Sequence, residues 1–277
     1  GLDRRRGGFG GEPLEIIGRP TAVLHVSSTA PVMAFVARLC DVAPDGTSSL
    51  VRTGVLNGTR RDSLEDPEPM HPGEIYELEI ELDGTAWRFE PRHRLRLSIC
   101  SADFPNLWPT PYRGTNRVHR GPEFPSHLLL PVVPTRPAAG SSHLPADETT
   151  FAPAGPASVY SLSPHDPAWQ ITHDQLGDRT GLKTVTRDRM RVSPETEVQN
   201  DRLLEVWASN RDPANVSAVG QHLRRIERHD GVTRVDACCT LSSTAGTFHL
   251  TIDLQVTING LSHFQRRWVR DFARNLL

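Results

Sequence analysis

The chain has 277 residues, enough for about two domains, and carries 31 basic and 33 acidic residues for a formal charge of −2. Divided after Pro134, the first part holds 15 basic and 17 acidic residues, leaving 31 − 15 = 16 and 33 − 17 = 16 for the second. Neither part has the basic excess of a nucleic-acid binder, and no apolar run nears the ~18 residues of a membrane span, so neither nucleic acid nor membrane is expected as a partner. The sequence opens without Met, in what reads as the middle of a loop, so any signal peptide is expected to have been lost.

In chain order, residues 1–12 are a Gly- and Arg-rich tail that reads as a linker; no strand precedes its glycines and no helix follows them, as a dinucleotide fingerprint would require. From Pro13 the pattern is β. Short runs rich in Val, Ile and Leu (LEIIG, TAVLHVSS, MAFVARLCDV, SLVRTGVLN, EIYELEIEL, TAWRFE, HRLRLSICS and LLLPVV) are separated by turn signals at Asp45-Gly46, Pro72-Gly73 and Asp83-Gly84. Tyr76, Leu78, Ile80 and Leu82 alternate with Ile75, Glu77, Glu79 and Glu81, which predicts one buried and one mostly wet face. About eight such strands in residues 13–134 predict a β-sandwich of the jelly-roll type. Within it, Ser101–His127 is long, rich in proline and without strand pattern, and it carries Phe104, Trp108, Tyr112, His119 and Phe124. Loops of that length are usually functional or cover something, and the aromatics read equally as an interface or as a plug on the sandwich's own end.

Residues 135–156 are rich in Pro, Ala, Gly and Ser and mark a domain boundary. In residues 157–277 the hairpin signals are stronger. Phe248, Leu250, Ile252, Leu254, Val256 and Ile258 alternate with polar residues up to Asn259-Gly260, the strongest short hairpin signal, and Asp230-Gly231 is expected to join Val216–Arg228 to Val232–Ser242 in the same way. WQITHDQ, LKTVTRDRMRV and RLLEVWAS extend the meander, which predicts an open barrel or a two-layer sandwich. The whole chain is expected to be all-β.

Chemistry-bearing motifs are sparse. The G-x-S-x-G elbow of α/β-hydrolases does not occur, and His143 beside Ser142 falls in the linker. None of the 12 histidines forms H-x-x-x-H; His119 and His127, eight residues apart, read as ordinary loop residues before they read as a ligand pair. Asp41, Asp45, Asp62, Glu65, Asp66 and Glu68 form an acidic neighbourhood without the calcium-loop register. No cofactor and no metal is therefore expected. The C-terminal arginines, among them Arg224, Arg225, Arg266, Arg267 and Arg270, have acidic neighbours and predict cross-strand ion pairs on a solvated face. Trp169, Trp207 and Trp268 read as core or rim packing. Asn57-Gly-Thr and Asn215-Val-Ser match the glycosylation acceptor but carry no sign of secretion. Four scattered cysteines make no disulfide framework and no C-x-x-C, which fits a reducing, cytoplasmic compartment; Cys40, Cys100 and Cys239 are expected to be small buried hydrophobes.

The blocks PLEIIGRP, FVARLCDVAPDG, PGEIYELEIEL, TAWRFEPRHRLRLSICSADFP and TNRVHRGPEFPSHLLLPVV occur in order over residues 13–133. Together they resemble the C-terminal domain of the CocE/NonD hydrolases, which include cocaine esterases, α-amino-acid ester hydrolases and Xaa-Pro dipeptidyl-peptidases. The resemblance implies a galactose-binding-like jelly roll with no catalytic residue of its own, because that family's Ser-His-Asp triad lies in a preceding α/β-hydrolase domain. That domain is expected to be absent here, so no triad residue is carried over and the chain alone is expected to be inactive. The family's usual opening stretch is also missing or replaced, which predicts a bared edge strand. The expected partner is an α/β-hydrolase catalytic domain, in cis or trans, with Phe104, Trp108, Tyr112, His119 and Phe124 as the candidate interdomain loop walling its active-site cleft; assembly into a homo-oligomer is a further expectation. A different reading is a free-standing module that binds a carbohydrate or an apolar ligand. Residues 157–277 resemble a β-rich extension of some actinobacterial-type relatives, without an implied role.

Overall fold

A computed structural model describes residues 12–133, 160–161 and 168–277. The Gly/Arg-rich tail before Glu12, the Pro/Ala-rich stretch 135–156 and Ser142 with His143 lie outside the described residues. The chain divides into two compact units, residues 1–137 with 275–277, and residues 138–274. Among the described residues the regular structure is β, with one short 3-10 turn at Gly58–Arg60.

The first unit is a sandwich of short antiparallel strands: β1 (Leu14–Gly18), β2 (Thr21–Ser28), β3 (Ala34–Val42), β4 (Ser48–Asn57), β5 (Tyr76–Glu81), β6 (Thr85–Phe89), β7 (Arg94–Cys100), β8 (Asn116–His119) and β9 (His127–Leu129). One sheet places β2 between β5 on one side and β8 with β9 on the other; a second has the order β4-β3-β7, and β1 pairs with β6. This crossed order is that of a jelly-roll sandwich rather than of a simple meander. The alternation read in β5 is realised: Leu78, Ile80 and Leu82 are fully buried, whereas Glu77, Glu79 and Glu81 face water. They pack with Ile16, Leu24, Phe35, Leu39 and Phe89 into one core. At roughly 1.5–3 kcal/mol per fully buried side chain of this size, that core is the main source of the unit's stability.

Three features differ from the expectations. The stretch Ser101–His127 contains a strand, because Asn116–His119 pairs with β2 through His25↔His119 and Val26↔Val118. Its one inward apolar residue, Val118, is too short a signal to show alternation. The first strand has no bare edge: Val132 bridges to Ile16, Ile17 N donates to Pro131 O and Val133 N to Glu15 O, opposite the β6 pairing. The cysteines are half-buried rather than buried, and all four are free thiols.

Several buried polar groups of this unit are paired inside it, whereas His25 Nδ1 and the Asn116 side-chain amide have no hydrogen-bond partner. Asp41 accepts from Trp87 Nε1 at 3.1 Å and lies 2.8 Å from His93 Nδ1. Asn57 and Thr59 donate to the carbonyl of Leu276 at 3.1 and 2.9 Å, so the Asn57 amide is committed to a structural contact. The acidic neighbourhood disperses. Asp45 accepts from Thr47 N in a turn, and Asp62 and Glu68 each pair with Arg61. No group of three or more metal-ligating side chains occurs among the described residues.

The second unit is one continuous antiparallel sheet of β10 (Tyr160–Ser161), β11 (Ala168–Asp174), β12 (Arg179–Ser193), β13 (Thr196–Ser209), β14 (Val216–Arg228), β15 (Gly231–Ser243), β16 (Thr247–Ile258) and β17 (Leu261–Ala273). The order follows the sequence, with β10 and β11 both on β12. It is an open sheet: β11 and β17 do not pair, and no second layer of strands is present among the described residues. The Asn259-Gly260 turn has φ of 51° and 80°, the geometry of a type I′ turn. The preceding hairpin is shifted by one residue from expectation. Arg228 pairs with Gly231, so His229 and Asp230 form the turn and Gly231 opens β15. A Cβ on Gly231 would lie 2.5 Å from Asn259 Oδ1, which accepts from Val232 N, so glycine is needed there for close approach.

Directly opposed residues of an antiparallel pair share a face, and here the registers sort the side chains sharply. One face carries Lys183–Glu205, Arg234–Asp236, Arg225–Glu227 and Asp253–Arg267 ion pairs. Two of these run along a single strand rather than across strands. The other face carries Leu182, Leu204, Val206, Leu250, Ile252 and Leu254. Arg224, Arg266 and Arg270 lie on this apolar face, contrary to the expected ionic ladder, and Arg266 stacks on Trp268 at 5.0 Å. Trp169 is exposed rather than core, and Trp207 lies under the Arg179 guanidinium on the ionic face.

Two predictions follow from packing and charge. A Cβ on Gly54 would lie 2.5 Å from the Glu81 carbonyl oxygen, so Gly54→Ala should cost about 1–3 kcal/mol, read as a lower denaturation midpoint; Gly84→Ala, where a Cβ meets nothing within 4 Å, is the control. Arg191 and Arg189 hold Glu197 below its ordinary 4.5, and Arg234 holds Asp236 below its ordinary 3.8. Depressed carboxylates stabilise the fold above their unfolded values and lose that contribution as pH falls through them. The melting temperature should therefore change little from pH 7 to 5 and fall below about pH 4.5, less steeply in high salt because these pairs are exposed. A melting temperature constant down to pH 3 would contradict this assignment.

Candidate docking site

The aromatic segment between β7 and β8 is held by side chains from distant strands. Asp103 forms an ion pair with Arg38 on β3, and its carbonyl accepts from Leu107 N at 2.8 Å, which turns the chain. Thr110 Oγ1 lies 3.6 Å from Met33 Sδ, and Pro111 is buried. At the far end Thr29 and Thr115 exchange two hydrogen bonds: Thr115 N donates to Thr29 Oγ1 at 2.9 Å and Thr29 N to Thr115 O at 3.2 Å. Gly114 permits this approach, since a Cβ there would come within 2.7 Å of Met33 Cε and 2.8 Å of Ala30 Cβ. The result is a clamped segment lying on residues 29–33. Phe104 and Trp108 are half-buried in it, and Tyr112 is 43% exposed.

His119 and Phe124 belong to a second cluster. His119 sits on β8 opposite His25, with Nε2 2.9 Å from Ser27 Oγ. The Phe124 ring lies 5.5 Å from the His119 ring and 5.8 Å from that of His25. Ser126 Oγ donates to His119 O and accepts from His25 N, both at 2.8 Å, and His25 Nε2 lies 3.0 Å from Glu77. Ser27 is only 4% exposed, so the Ser27–His119 pair closes an internal hydrogen bond and does not present a nucleophile. His127 bonds Pro125 O at 2.6 Å, separately from His119. Of the five candidate residues, the structure thus brings His119 together with Phe124 and places Phe104, Trp108 and Tyr112 on the clamped segment. Sequence reasoning missed the Arg38–Asp103 anchor and the His25–Glu77 pair; the partners lie 65 and 52 residues apart, with no local pattern linking them.

In the second unit an open groove of about 660 Å³ is lined mainly by residues of the ionic face, among them Lys183, Val185, Arg187, Asp201, Leu203 and Leu223. No Phe, Tyr or Trp lines it, so it lacks the aromatic platform a carbohydrate site would need.

The clamped segment lies within a span of known kind: residues 11–129 match the X-Pro dipeptidyl-peptidase C-terminal non-catalytic domain. Residues 11–129 belong to that domain family. The chain is 35% identical over 136 residues to the cocaine esterase of Rhodococcus sp. (strain MB1 Bresler), covering 44% of this chain and 24% of the esterase. It is also similar to the solved structures of an α-amino acid ester hydrolase (27% identity, TM-score 0.42, 45% of this chain and 24% of that one) and of a CocE/NonD family hydrolase from Staphylococcus aureus (19% identity, TM-score 0.41, 44% and 29%). The chain thus spans about a quarter of the length of the esterase, and the C-terminal domain it shares is one part of longer hydrolase chains. No helix among the described residues is long and apolar enough to cross a membrane.

Asp103→Ala should free the clamp without reaching the core. Trypsin cleavage after Arg113, which is exposed, should accelerate severalfold while the melting temperature falls by only a few degrees. Unchanged cleavage would show that Asp103 does not hold the segment.

Proposed function

We propose that the first unit docks on an α/β-hydrolase catalytic domain, in cis or trans, and that Phe104, Trp108 and Tyr112 form part of the wall of its active-site cleft. The observation that carries this reading is the clamped segment, which holds Tyr112 exposed and Phe104 and Trp108 half-buried between the Arg38–Asp103 and Thr29–Thr115 contacts. Pre-ordering lowers the entropic cost of association, and aromatics are the residues most often dominant in interfaces. His119 and Phe124 form a separate cluster with His25 at the β2–β8 pairing. The intact enzyme would be a serine hydrolase acting on esters or Xaa-Pro peptides by acyl transfer, its chemistry supplied by the catalytic domain. Four free thiols support a reducing, cytoplasmic location.

The test combines reactivity and docking. The purified chain should take up no fluorophosphonate, as read by intact mass. Added to the separately purified catalytic domain of the Rhodococcus cocaine esterase, it should raise that domain's thermal stability, and Tyr112→Ala should weaken the effect tenfold or more, the scale of an interface hot spot of roughly 2 kcal/mol. A stoichiometric adduct on one serine, or an effect unaltered by Tyr112→Ala, would contradict the proposal.

A further inference from the structure

We propose that the free edge of β17 is the seam of a symmetric dimer, in which β17 of a second copy of this chain pairs with it antiparallel. The strand is 13 residues long and ends the strand order of its sheet; no strand among the described residues pairs with its outer side. Every residue from Leu261 to Ala273 except Trp268 is exposed. A long exposed edge is a template for another strand, and native proteins commonly block it with proline, lysine or a covering segment. Leu261–Ala273 contains no proline and no lysine. Its one register shift lies at its start, where His263 stands opposite no residue of β16.

The hydrogen-bond parity of the last hairpin fixes which main-chain groups face outward. Arg274 N donates to Gly246 O, the pair that follows Thr247↔Ala273. Bonded and non-bonded pairs alternate along an antiparallel ladder. Even-numbered residues beyond the register shift therefore turn their N–H and C=O groups to β16. Gln265, Arg267, Val269, Asp271 and Ala273 turn theirs to the open side. Val269 O, at the middle of this row, accepts from Arg270 Nη1 at 2.9 Å, a side chain standing where a neighbouring strand would donate.

The side chains identify the occupant as β17 itself, in one register. Two-fold pairing about Val269 sets Gln265 against Ala273, and Arg267 against Asp271, of the second copy. Every outward residue then meets an outward residue, and the pairing ends where the straight part of the strand ends. Within each chain Arg267 lies 3.6 Å from Asp253 and His249 lies 2.8 Å from Asp271. The seam joins these pairs into a row from Asp253 and Arg267 of one copy to Asp271 and His249 of the other, with opposite charges directly across the seam. On the other face the even-numbered residues form the non-bonded pairs, whose side chains lie closest. There Trp268 faces Arg270 and Phe272 faces Arg266 of the second copy, ring against guanidinium. Arg270, released from Val269 O by the incoming Val269 N, supplies one of these contacts. Moving the axis to Trp268 would set Arg266 against Arg270, and moving it to Arg270 would set that residue against itself. Charge thus both favours a second copy and selects its register. Strand addition draws its affinity from main-chain hydrogen bonds rather than from a broad apolar area, and the two-fold axis closes the assembly at two copies.

Sedimentation equilibrium of the full chain tests this. At about 50 µM, a concentration at which a stable dimer is populated, the mass should be about 61 kDa, twice the 30.7 kDa of the chain. Val269→Pro removes the central outward donor, which β16 does not use. It should raise the dimer Kd about 100-fold or more, while the melting temperature of the monomer moves by only a few degrees. Arg267→Asp alone sets acid against acid across the seam, and Asp271→Arg alone sets base against base. Each should weaken self-association by about tenfold or more. Mixing these two variants should restore a mixed dimer, because both contacts across the seam then join opposite charges. A chain that stays monomeric, a dimer that withstands Val269→Pro, a mixture of the charge variants that does not associate, or growth beyond two copies would each overturn the proposal. None of these outcomes depends on Tyr112, so failure here is distinct from failure of the docking of the first unit.

Discussion

In an antiparallel sheet, directly opposed residues share a face, and this constraint organises the chain. With period two along each strand, a side chain is committed to one of two surfaces wherever the register holds; in the second unit it shifts only at Arg191/Ser193 and at Val256/Thr257 among the described residues. In β5 the commitment gives a row of buried Leu78, Ile80 and Leu82 and a row of wet glutamates. In the second unit it extends from β11 to β17 and separates a face rich in ion pairs from one that holds most of the exposed large apolar side chains together with Arg224, Arg266, Arg270 and the Asp188–Arg202 pair. A sandwich closes its apolar face against a second sheet. The first unit does so, and the second leaves large apolar side chains in solvent.

That difference separates what the two units are suited to do. The first has a filled core, pairs Asp41 with Trp87 and His93, and holds the buried Ser27 against the half-buried His119. The clamp from Arg38 to Asp103 and from Thr29 to Thr115 leaves Tyr112 exposed. The unit's residues 11–129 belong to a non-catalytic domain family. The second unit's ionic face is solvated and worth little individually to stability, so its unspent driving force lies on the apolar side.

Much of this was legible in the sequence, for identifiable reasons. Alternation over Phe248–Ile258 followed by Asn259-Gly260 fixes face, register and turn type together, and the structure has all three. The sandwich was legible from short apolar runs between turn signals. Where the local signal was thin the reading failed. Asn116–His119 has one inward apolar residue and became a strand only through β2, and the turn at His229-Asp230 lacks a residue with left-handed φ, so the adjacent Asp230-Gly231 misled by one position. For the candidate site, the aromatic content of Ser101–His127 was visible, but its anchoring was not. Arg38 and Asp103 meet only because β3 and the end of β7 are neighbours in space. Long-range pairing of this kind leaves no periodic trace.

Docking of a catalytic domain on the clamped segment, as proposed, can be read residue by residue. The most direct measurement is amide hydrogen exchange of the full chain, alone and with the esterase catalytic domain in excess. Docking should slow exchange in residues 101–115 and in residues 29–33, with the second unit's strands unaffected by that domain. Unchanged exchange across 101–115 in a complex that demonstrably forms would contradict it.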